Sequence, residues 1–182
     1  MNILITGAAG FIGFHLTRIL LEKGNKVHGY DSMNNYYDVN LKKARLSILK
    51  KYKNFSFTKN KLENKKILER AFFNFKPSIV IHLAAQAGVR YSIDKPKVYL
   101  RSNITGSFNI IEVSHKLKVK HLIMASSSSV YGANKSIPFK EIDKTETQLS
   151  IYAATKKSNE SMAHSYSNIW KIPITMLRFF TV

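Results

Sequence analysis

The sequence contains no cysteine and few acidic residues: 11 Asp and Glu stand against 29 Lys and Arg, a formal charge of +18 at pH 7. The absence of cysteine excludes disulfides and thiolate chemistry. No apolar run approaches the roughly 20 residues that a membrane-spanning helix needs. The N-terminal MNILITG has neither a basic lead-in nor a cleavage site. We therefore expect a cytoplasmic protein without a membrane partner.

Arginine is also scarce, because only six of the 29 basic residues are Arg. Nucleic-acid binding is one interpretation of such a basic chain, but phosphate and base recognition favours the Arg fork over Lys. The lysines are scattered, as a compositional bias would produce. A positive field also attracts small polyanions. The composition predicts no specific nucleic-acid partner and leaves nucleic acid as a minor alternative.

Short β-rich apolar runs alternate with helical patterns along the whole chain. This alternation is typical of parallel βαβ units and predicts an α/β fold, a doubly wound parallel sheet of the Rossmann type, in one domain spanning 1–182. The predicted strands are 2–6, 26–30, 54–58, 79–85, 120–125 and 174–181. The predicted helices include a first one with Ile12, Leu16, Ile19 and Leu20 on its core face, a basic one with a solvated face near 41–49, and three at 63–74, 97–117 and 150–168.

A glycine loop, GAAGFIG, follows the first strand and opens the first helix. Gly7 permits a tight turn, Gly10 lets the backbone approach a pyrophosphate, and Gly13 allows the helix to pack closely on the strand. The second strand leads into Asp31, 18 residues after Gly13, where a carboxylate can accept hydrogen bonds from ribose hydroxyls. A helix or turn cap is the alternative for Asp31. Together these features predict a dinucleotide site.

Tyr152 and Lys156 lie four residues apart, so on a helix they share one face. An ammonium beside a phenol stabilises the phenolate, which can then act as a proton-transfer base. Ser127, at the end of the apolar run VKHLIMAS, can hydrogen-bond the same substrate hydroxyl. The alternative is a serine-rich loop followed by an ordinary helix with an exposed Tyr and Lys.

Five residues of the chain come directly after the carboxyl ends of predicted strands, where open α/β sheets bind their ligands. One crevice can therefore hold them together. The six histidines have no ligand spacing with carboxylates, so we expect no metal site. The five positions are Gly7, Asp31, Ala84, Ser127 and Phe179.

The order GAAGFIG, Asp31, HLAA, SSSSVYG and YxxxK resembles the extended short-chain dehydrogenase/reductase superfamily. The longer runs YYDVNLKKAR, HLAAQAGVRYS, ASSSSVYGAN, YAATKK and LRFFTV are similar to the UDP-glucuronate 4-epimerase family. The resemblance covers the whole chain but only the N-terminal part of family members, which continue into a substrate-binding C-terminal region. The 182 residues match only the part before that region, and from the resemblance we expect a truncated enzyme that lacks it.

The resemblance implies NAD as the cofactor and a catalytic set of Ser127, Tyr152 and Lys156. It further implies that the remaining cofactor contacts surround the glycine loop and the wall of the crevice, with Tyr152 and Lys156 also touching the cofactor. Those further positions are Gly7, Gly10, Phe11, Ile12, Gly13, Asp31, Leu62, Leu83, Ala84, Ala85, Gln86 and Phe179.

For the substrate, a UDP-sugar, the resemblance implies contacts from Arg90, Asn103, Ser128, Ser129 and Thr181. A surface position for Arg90 and a solvent-facing position for Asn103 are the alternatives. The implied reaction is C4 epimerisation of UDP-glucuronate to UDP-galacturonate through a 4-keto intermediate. Family members often pair through helices of this half, so a homodimer is also implied.

Two departures from related families affect this interpretation. Related dehydratases carry Asp-Glu directly after the catalytic Thr, whereas serines stand at both positions here, which favours epimerisation over elimination or decarboxylation. Family members usually carry Asp-Leu where this chain has Lys61 and Leu62, and a Lys cannot accept a hydrogen bond from the adenine amino group. An NAD-binding module without turnover, or another nucleotide-sugar epimerase, decarboxylase or dehydratase, stays as the alternative.

Overall fold

A six-stranded sheet forms the centre of the computed structural model, which describes residues 1–182. Its strands are β1 Asn2–Thr6, β2 Lys26–Asp31, β3 Phe55–Lys59, β4 Ile79–His82, β5 His121–Ala125 and β6 Ile174–Leu177. The spatial order is β3-β2-β1-β4-β5-β6, and every neighbouring pair is parallel. The chain starts in the middle, winds to one edge and then winds to the other. This topology confirms the predicted doubly wound parallel sheet, with its switch point between β1 and β4.

Seven helices connect the strands: α1 Phe11–Glu22, α2 Val39–Leu49, α3 Lys65–Phe75, α4 Tyr91–Asp94, α5 Pro96–Tyr99, α6 Gly106–Lys116 and α7 Ile151–Trp170. A π-helical segment, Leu100–Thr105, joins α5 to α6, and a 3-10 turn, Ser128–Tyr131, follows β5. The long helix α7 begins where the Ser150 hydroxyl accepts a hydrogen bond from the Ala153 N–H at 3.0 Å. No helix has the length and apolarity that crossing a bilayer requires.

Hydrophobic side chains cover both faces of the sheet, as a fully parallel sheet requires. Because neighbouring residues of a strand point to opposite faces, Leu4 packs on one side of β1 while Ile3 and Ile5 pack on the other. The Leu4 side meets α3, α6 and α7, and the other side meets α1 and α2. Polar groups at the carboxyl ends of the strands therefore project from a rigid support.

The buried face of α1 matches the prediction in part: Leu16 and Leu20 pack, half-buried, against the core, but the most buried positions are others. Gly13, Thr17 and Leu21 face the sheet, with Phe14 beside them, whereas Ile19 is 45% exposed. The glycine loop explains the rotation, because Gly13 packs directly on the Gly7 carbonyl and leaves no space for a side chain. The residues four and eight positions further along the helix then face inward as well.

The prediction that the basic face of α2 is solvated is wrong for one residue. Lys42 is 4% exposed, while Leu41 and Ile48 point outward. The Lys42 ammonium donates to the backbone and side-chain oxygens of Asn34 at 2.8 and 2.7 Å, which compensates its burial.

Three predicted elements have other bounds. The strand predicted over 79–85 ends at His82, because β1 ends at Thr6 and offers no further ladder partner. The strand predicted over 174–181 ends at Leu177. The region 97–117 is not one regular helix but α5, the π-helical segment and α6.

Candidate active site

The turn between β1 and α1 is too tight for side chains at its glycines. Gly7 has a φ of +74°, and a Cβ there would lie 2.9 Å from the Ala84 nitrogen. The Gly7 N–H donates to the Tyr30 carbonyl at 2.8 Å, and the Gly10 N–H donates to the Gly7 carbonyl at 2.9 Å. Helix α1 starts directly after Gly10 without a side-chain cap. Its first N–H groups and its dipole suit a phosphate group.

Asp31 ends β2 beside this turn and is 8% exposed. Its Oδ2 accepts a hydrogen bond from the Ala9 N–H at 3.1 Å, and its Oδ1 accepts one from the Met33 N–H at 2.8 Å. A carboxylate oxygen can accept more than one hydrogen bond. Asp31 therefore fixes the glycine loop and keeps acceptor capacity for a ligand.

A crevice of about 500 Å³ opens between the glycine loop, the end of β2 and the segment after β4. Its size suits a small-molecule ligand. Lys61 and Leu62 lie on its wall, with Lys61 exposed and Leu62 buried. Of the residues predicted to contact the cofactor, those that line this crevice are Gly7, Gly10, Asp31, Leu62, Leu83, Ala84, Ala85 and Gln86.

The glycine loop and Asp31 fit the pyrophosphate and ribose of a dinucleotide, because each offers the complementary hydrogen-bonding group. Phe11 and Ile12 lie in the first turn of α1, with Phe11 53% exposed. Phe179 follows β6 and is half-buried, and its carbonyl accepts a hydrogen bond from the Ser128 N–H at 2.8 Å. These three residues do not line the crevice itself. No three His, Asp or Glu side chains lie close enough together to hold a metal ion.

The structure brings Ser127, Tyr152 and Lys156 together where β5 meets the first turns of α7. Lys156 is 4% exposed, and its Nζ donates to the Ala125 carbonyl at 2.7 Å. Burial lowers the Lys156 pKa to about 8. The Ser127 hydroxyl donates to Ser129 Oγ at 3.1 Å and accepts from the Ser129 N–H at 3.1 Å. The serine side chain is therefore oriented by its own 3-10 turn.

Burial raises the pKa of the Tyr152 phenol, and the Ser127 hydroxyl opposes that rise. This differs from the sequence-based expectation that Lys156 depresses the phenol pKa. The physical reason is that the Lys156 ammonium is directed at the Ala125 carbonyl, while burial disfavours the phenolate. Tyr152 also packs edge-on against Tyr99, with ring centroids 6.2 Å apart.

Asn103 occupies the π-helical segment and is fully buried. Its Oδ1 accepts from the Gln86 N–H at 2.8 Å, and its Nδ2 donates to the Gln86 carbonyl at 3.0 Å and to Thr155 Oγ1 at 3.1 Å. These contacts exclude the solvent-facing alternative, and the substrate contact of Asn103 stays a prediction. In this structure Asn103 fixes the crevice wall to α7, and the wider π-helical turn brings it there.

The other residues expected to contact substrate lie around the serine turn and on the surface. Ser128 and Ser129 are half-buried within the 3-10 turn, whereas Arg90 and Thr181 are exposed. Arg90 immediately precedes α4. The structure thus brings the two serines next to Ser127 and leaves Arg90 and Thr181 facing solvent.

Sequence patterns did not indicate the role of Tyr99. It is completely buried, and its hydroxyl lies 2.7 and 2.6 Å from the carbonyls of Ala87 and Gly88, to which it can donate. Burial raises its pKa to about 12, so the hydroxyl stays a donor. Tyr99 therefore supports Tyr152 and anchors the loop after β4. Only its place on the inner face of a short helix could have drawn attention to it.

The sequence is similar to those of several known proteins. The sequence model of the GDP-mannose 4,6-dehydratase family matches residues 4–182. Protein CapI of Staphylococcus aureus is 56% identical over 100% of this chain and 54% of its own length. A probable UDP-glucuronate 4-epimerase of Rhizobium meliloti is 50% identical over 100% of this chain and 53% of its own length. The chain spans about half the length of the curated relatives it matches.

A solved structure extends the likeness to three dimensions. The UDP-glucuronic acid 4-epimerase of Bacillus cereus, crystallised in complex with UDP-glucuronic acid and NAD, is 36% identical with a TM-score of 0.92. The match covers 100% of this chain and 57% of that chain. The glycine loop and the parallel sheet agree with the family match. The chain belongs to the GDP-mannose 4,6-dehydratase family, with UDP-glucuronate 4-epimerases among its relatives.

Proposed function

We propose that this chain forms the NAD-binding and catalytic half of an enzyme that interconverts UDP-glucuronate and UDP-galacturonate by inversion at C4. The observation that carries the proposal is the convergence of Ser127 and Tyr152 with the buried Lys156, in a fold whose glycine loop and Asp31 line a crevice of about 500 Å³. The names of the relatives support the same substrate class. Because the chain spans about half their length, the activity refers to the whole enzyme.

The glycine loop and Asp31 would hold NAD. The N–H groups at the start of α1 would bind the pyrophosphate, and Asp31 would accept hydrogen bonds from the adenosine ribose. Leu83 to Gln86 would form the wall beside the nicotinamide half. Bound NAD would supply a reversible hydride acceptor for C4, and a positive charge that favours the phenolate of Tyr152.

Tyr152 would remove the proton of the C4 hydroxyl while Ser127 holds that hydroxyl by a hydrogen bond. Lys156 remains charged at neutral pH, because its lowered pKa of about 8 is still above 7. One of its three N–H groups is used on Ala125, so two can bind a ribose hydroxyl. Tyr152 would return the proton to the inverted C4 oxygen, so no net oxidation occurs.

The serines beside Ser127 distinguish this reaction from elimination. Water elimination needs an acid and a base next to the catalytic hydroxyl, and neither Ser128 nor Ser129 ionises usefully near neutral pH. A 4-keto intermediate with a neighbouring carboxylate tends to lose CO₂, so the enzyme must hold the carboxylate away from the reactive orientation. Thr181 is the residue of this chain that we assign to part of that role.

Product analysis by NMR tests the proposal. UDP-glucuronate and NAD are incubated with the 182-residue chain and, separately, with this chain extended by the C-terminal half of a relative. UDP-galacturonate is the expected product of the extended protein, and Tyr152→Phe should reduce its formation by roughly 10²- to 10⁴-fold. Accumulation of a pentose product would favour a decarboxylase instead. If both proteins bind NAD and neither forms a product, the chain is an NAD-binding module without turnover.

Pairing of two copies through α6 and α7 is part of the same proposal. Phe108 on α6 and Ile169 on α7 are exposed, with Trp170 also 46% exposed at the end of α7. Apolar side chains on neighbouring helices suit burial against a second copy. Sedimentation analysis of the native chain and of Phe108→Glu tests it, and a monomer in both cases would reject a dimer.

A further inference from the structure

Helix α7 carries a third polar residue on the face that presents Tyr152 and Lys156. Glu160 lies four residues beyond Lys156, so the three side chains follow one another along the same stripe. The Glu160 side chain is only 11% exposed. The proposed reaction assigns it no role, yet its contacts reach the strand end that carries Ser127.

Glu160 joins two residues from different parts of the sheet. Its Oε1 accepts a hydrogen bond from Ser126 Oγ at 2.6 Å and another from Arg178 Nε at 2.9 Å. Its Oε2 accepts from an Arg178 terminal nitrogen at 3.0 Å. This two-point pairing of guanidinium and carboxylate fixes both position and orientation. Lys157 adds a looser ion pair at 3.7 Å.

The two residues that Glu160 contacts lie next to Ser127: Ser126 precedes it in sequence, and Arg178 belongs to the segment paired with it. The Ser126 N–H donates to the Leu177 carbonyl at 2.7 Å, and the Ser128 N–H donates to the Phe179 carbonyl at 2.8 Å. Ser127 therefore lies between two backbone bonds to the segment that contains Arg178. A change in the Glu160 contacts would move this paired segment relative to α7. The distance between Ser127 and Tyr152 would then change as well.

The charge state of Glu160 suits this task. Burial raises its pKa, but hydrogen bonds from Arg178 and Ser126 and the nearby positive charges outweigh that effect, so its pKa is lower than usual. The carboxylate is consequently ionised at neutral pH. Arg178 in turn lies over the Tyr131 ring, 4.9 Å from its centroid, and donates to the Glu141 carbonyl at 3.1 Å.

We propose that Glu160, locked by Arg178, is a positioning residue that sets the approach of Ser127 to Tyr152. It acts on the strand end that Lys156 also holds, since Lys156 bonds the carbonyl of Ala125, the residue before Ser126. In the proposed reaction Tyr152 and Lys156 would contact the ligands, and Glu160 would align Ser127 with them. The inference rests on the proposed function for its catalytic meaning, but its geometric content can be measured without substrate.

The direct test is the titration of Tyr152 in the native 182-residue chain and in Glu160→Gln. Tyrosine labelled with carbon-13 at Cζ reports each phenol by NMR, and Tyr152→Phe identifies the signal. Because the Ser127 hydroxyl lowers the Tyr152 pKa, loosening Ser127 should raise that pKa further. An unchanged Tyr152 titration would overturn the proposal.

Glu112→Gln is the matched control. Glu112 is also a helical carboxylate with a 20% exposed side chain, and it accepts from the Tyr166 hydroxyl at 3.0 Å and pairs with Lys116 at 3.5 Å. It lies on α6 and contacts neither Ser126 nor Arg178. Both variants should lower the unfolding temperature, whereas only Glu160→Gln should shift the Tyr152 titration. A Tyr152 titration that is unshifted in both variants would mean that Glu160 contributes to stability alone.

Arg178→Lys provides a second variant in case Glu160→Gln does not fold. It keeps the positive charge and leaves Ser126 bonded to Glu160, but removes the two-point pairing. A smaller rise in the Tyr152 pKa, in the same direction, is expected, and no rise would contradict the proposal.

Kinetics of the extended enzyme then separate the two hypotheses. Glu160→Gln should lower kcat on the order of 10- to 100-fold with little change in KM, because the geometry of reaction and not binding is disturbed. An extended enzyme without epimerase activity would reject the proposed function, while the Tyr152 titration would still decide the role of Glu160.

Discussion

The Lys156 ammonium donates a hydrogen bond to the Ala125 carbonyl at 2.7 Å and thereby ties α7 to the end of β5. The contact spans 31 residues of sequence and lies inside the protein, with Lys156 only 4% exposed. A buried ammonium is costly to desolvate, which lowers the Lys156 pKa from 10.5 to about 8. The same residue therefore has a measurable effect on how stability depends on pH.

Between about pH 8 and 10.5 the unfolded chain keeps the Lys156 proton and the folded chain has released it. Stability contributed by this group therefore increases as pH rises through that window and is lost as pH falls through about 8. Relative to Lys156→Met, the free energy of unfolding of the native chain should increase by up to about 3 kcal/mol as pH rises across the window. Urea unfolding at several pH values measures the difference, and parallel stability curves for the two proteins would contradict it.

Asp31 should determine affinity for NAD because it both braces the glycine loop and faces the crevice. Asp31→Asn leaves one acceptor oxygen where two are used, so NAD binding should weaken roughly tenfold or more. Discrimination against a 2′-phosphate should also decline, since the repelling charge is gone. Calorimetry with NAD and NADP measures both effects. Asp38→Asn is the control, because Asp38 caps α2 by accepting from the Asn40 N–H and is exposed.

Lys61 should weaken adenine binding. It is exposed on the crevice wall, where a carboxylate could accept a hydrogen bond from the adenine amino group and a Lys cannot. Lys61→Asp should therefore bind NAD more tightly by about 1 kcal/mol in calorimetry. Lys59→Asp makes the same charge change at an exposed position outside the crevice and should not improve binding. Equal or weaker binding by Lys61→Asp would refute the role of position 61.

Much of the fold could be predicted because its signals are local. Buried parallel strands are short apolar runs, and their alternation with helical patterns indicates the βαβ order that the sheet adopts. The glycine loop was equally visible, because only glycine fits against Ala84 and the Gly7 carbonyl. Tyr152 and Lys156 followed from helical spacing on α7.

The remaining features depend on contacts distant in sequence. The rotation of α1 is set by packing of Gly13, and Lys42 is buried because Asn34 supplies acceptors. The π-helical turn that brings Asn103 to Gln86 and Thr155 has no periodicity signal. The rise in the Tyr152 pKa likewise depends on burial, which a spacing of four residues cannot reveal.

His82 should make the protein sensitive to acid. It is fully enclosed between Thr6 Oγ1 at 2.7 Å and Ser107 Oγ at 2.9 Å. The Ala84 N–H donates to Thr6 Oγ1, so the Thr6 hydroxyl proton can point to Nδ1 and the neutral ring can donate from Nε2 to Ser107. Burial, and to a lesser extent the Lys156 charge, lower the His82 pKa to about 3.

A histidine with a lowered pKa stabilises the fold above its unfolded pKa of 6.5, and this stability is lost as pH falls towards the folded value. Unfolding free energy should therefore decrease by a few kcal/mol between about pH 6.5 and 4. His28, whose pKa burial lowers to about 4, contributes in the same direction. His82→Gln and His28→Gln should each flatten the curve from urea unfolding, and the double variant should flatten it further. A native curve that is level over this range would contradict the neutral, buried state of both rings.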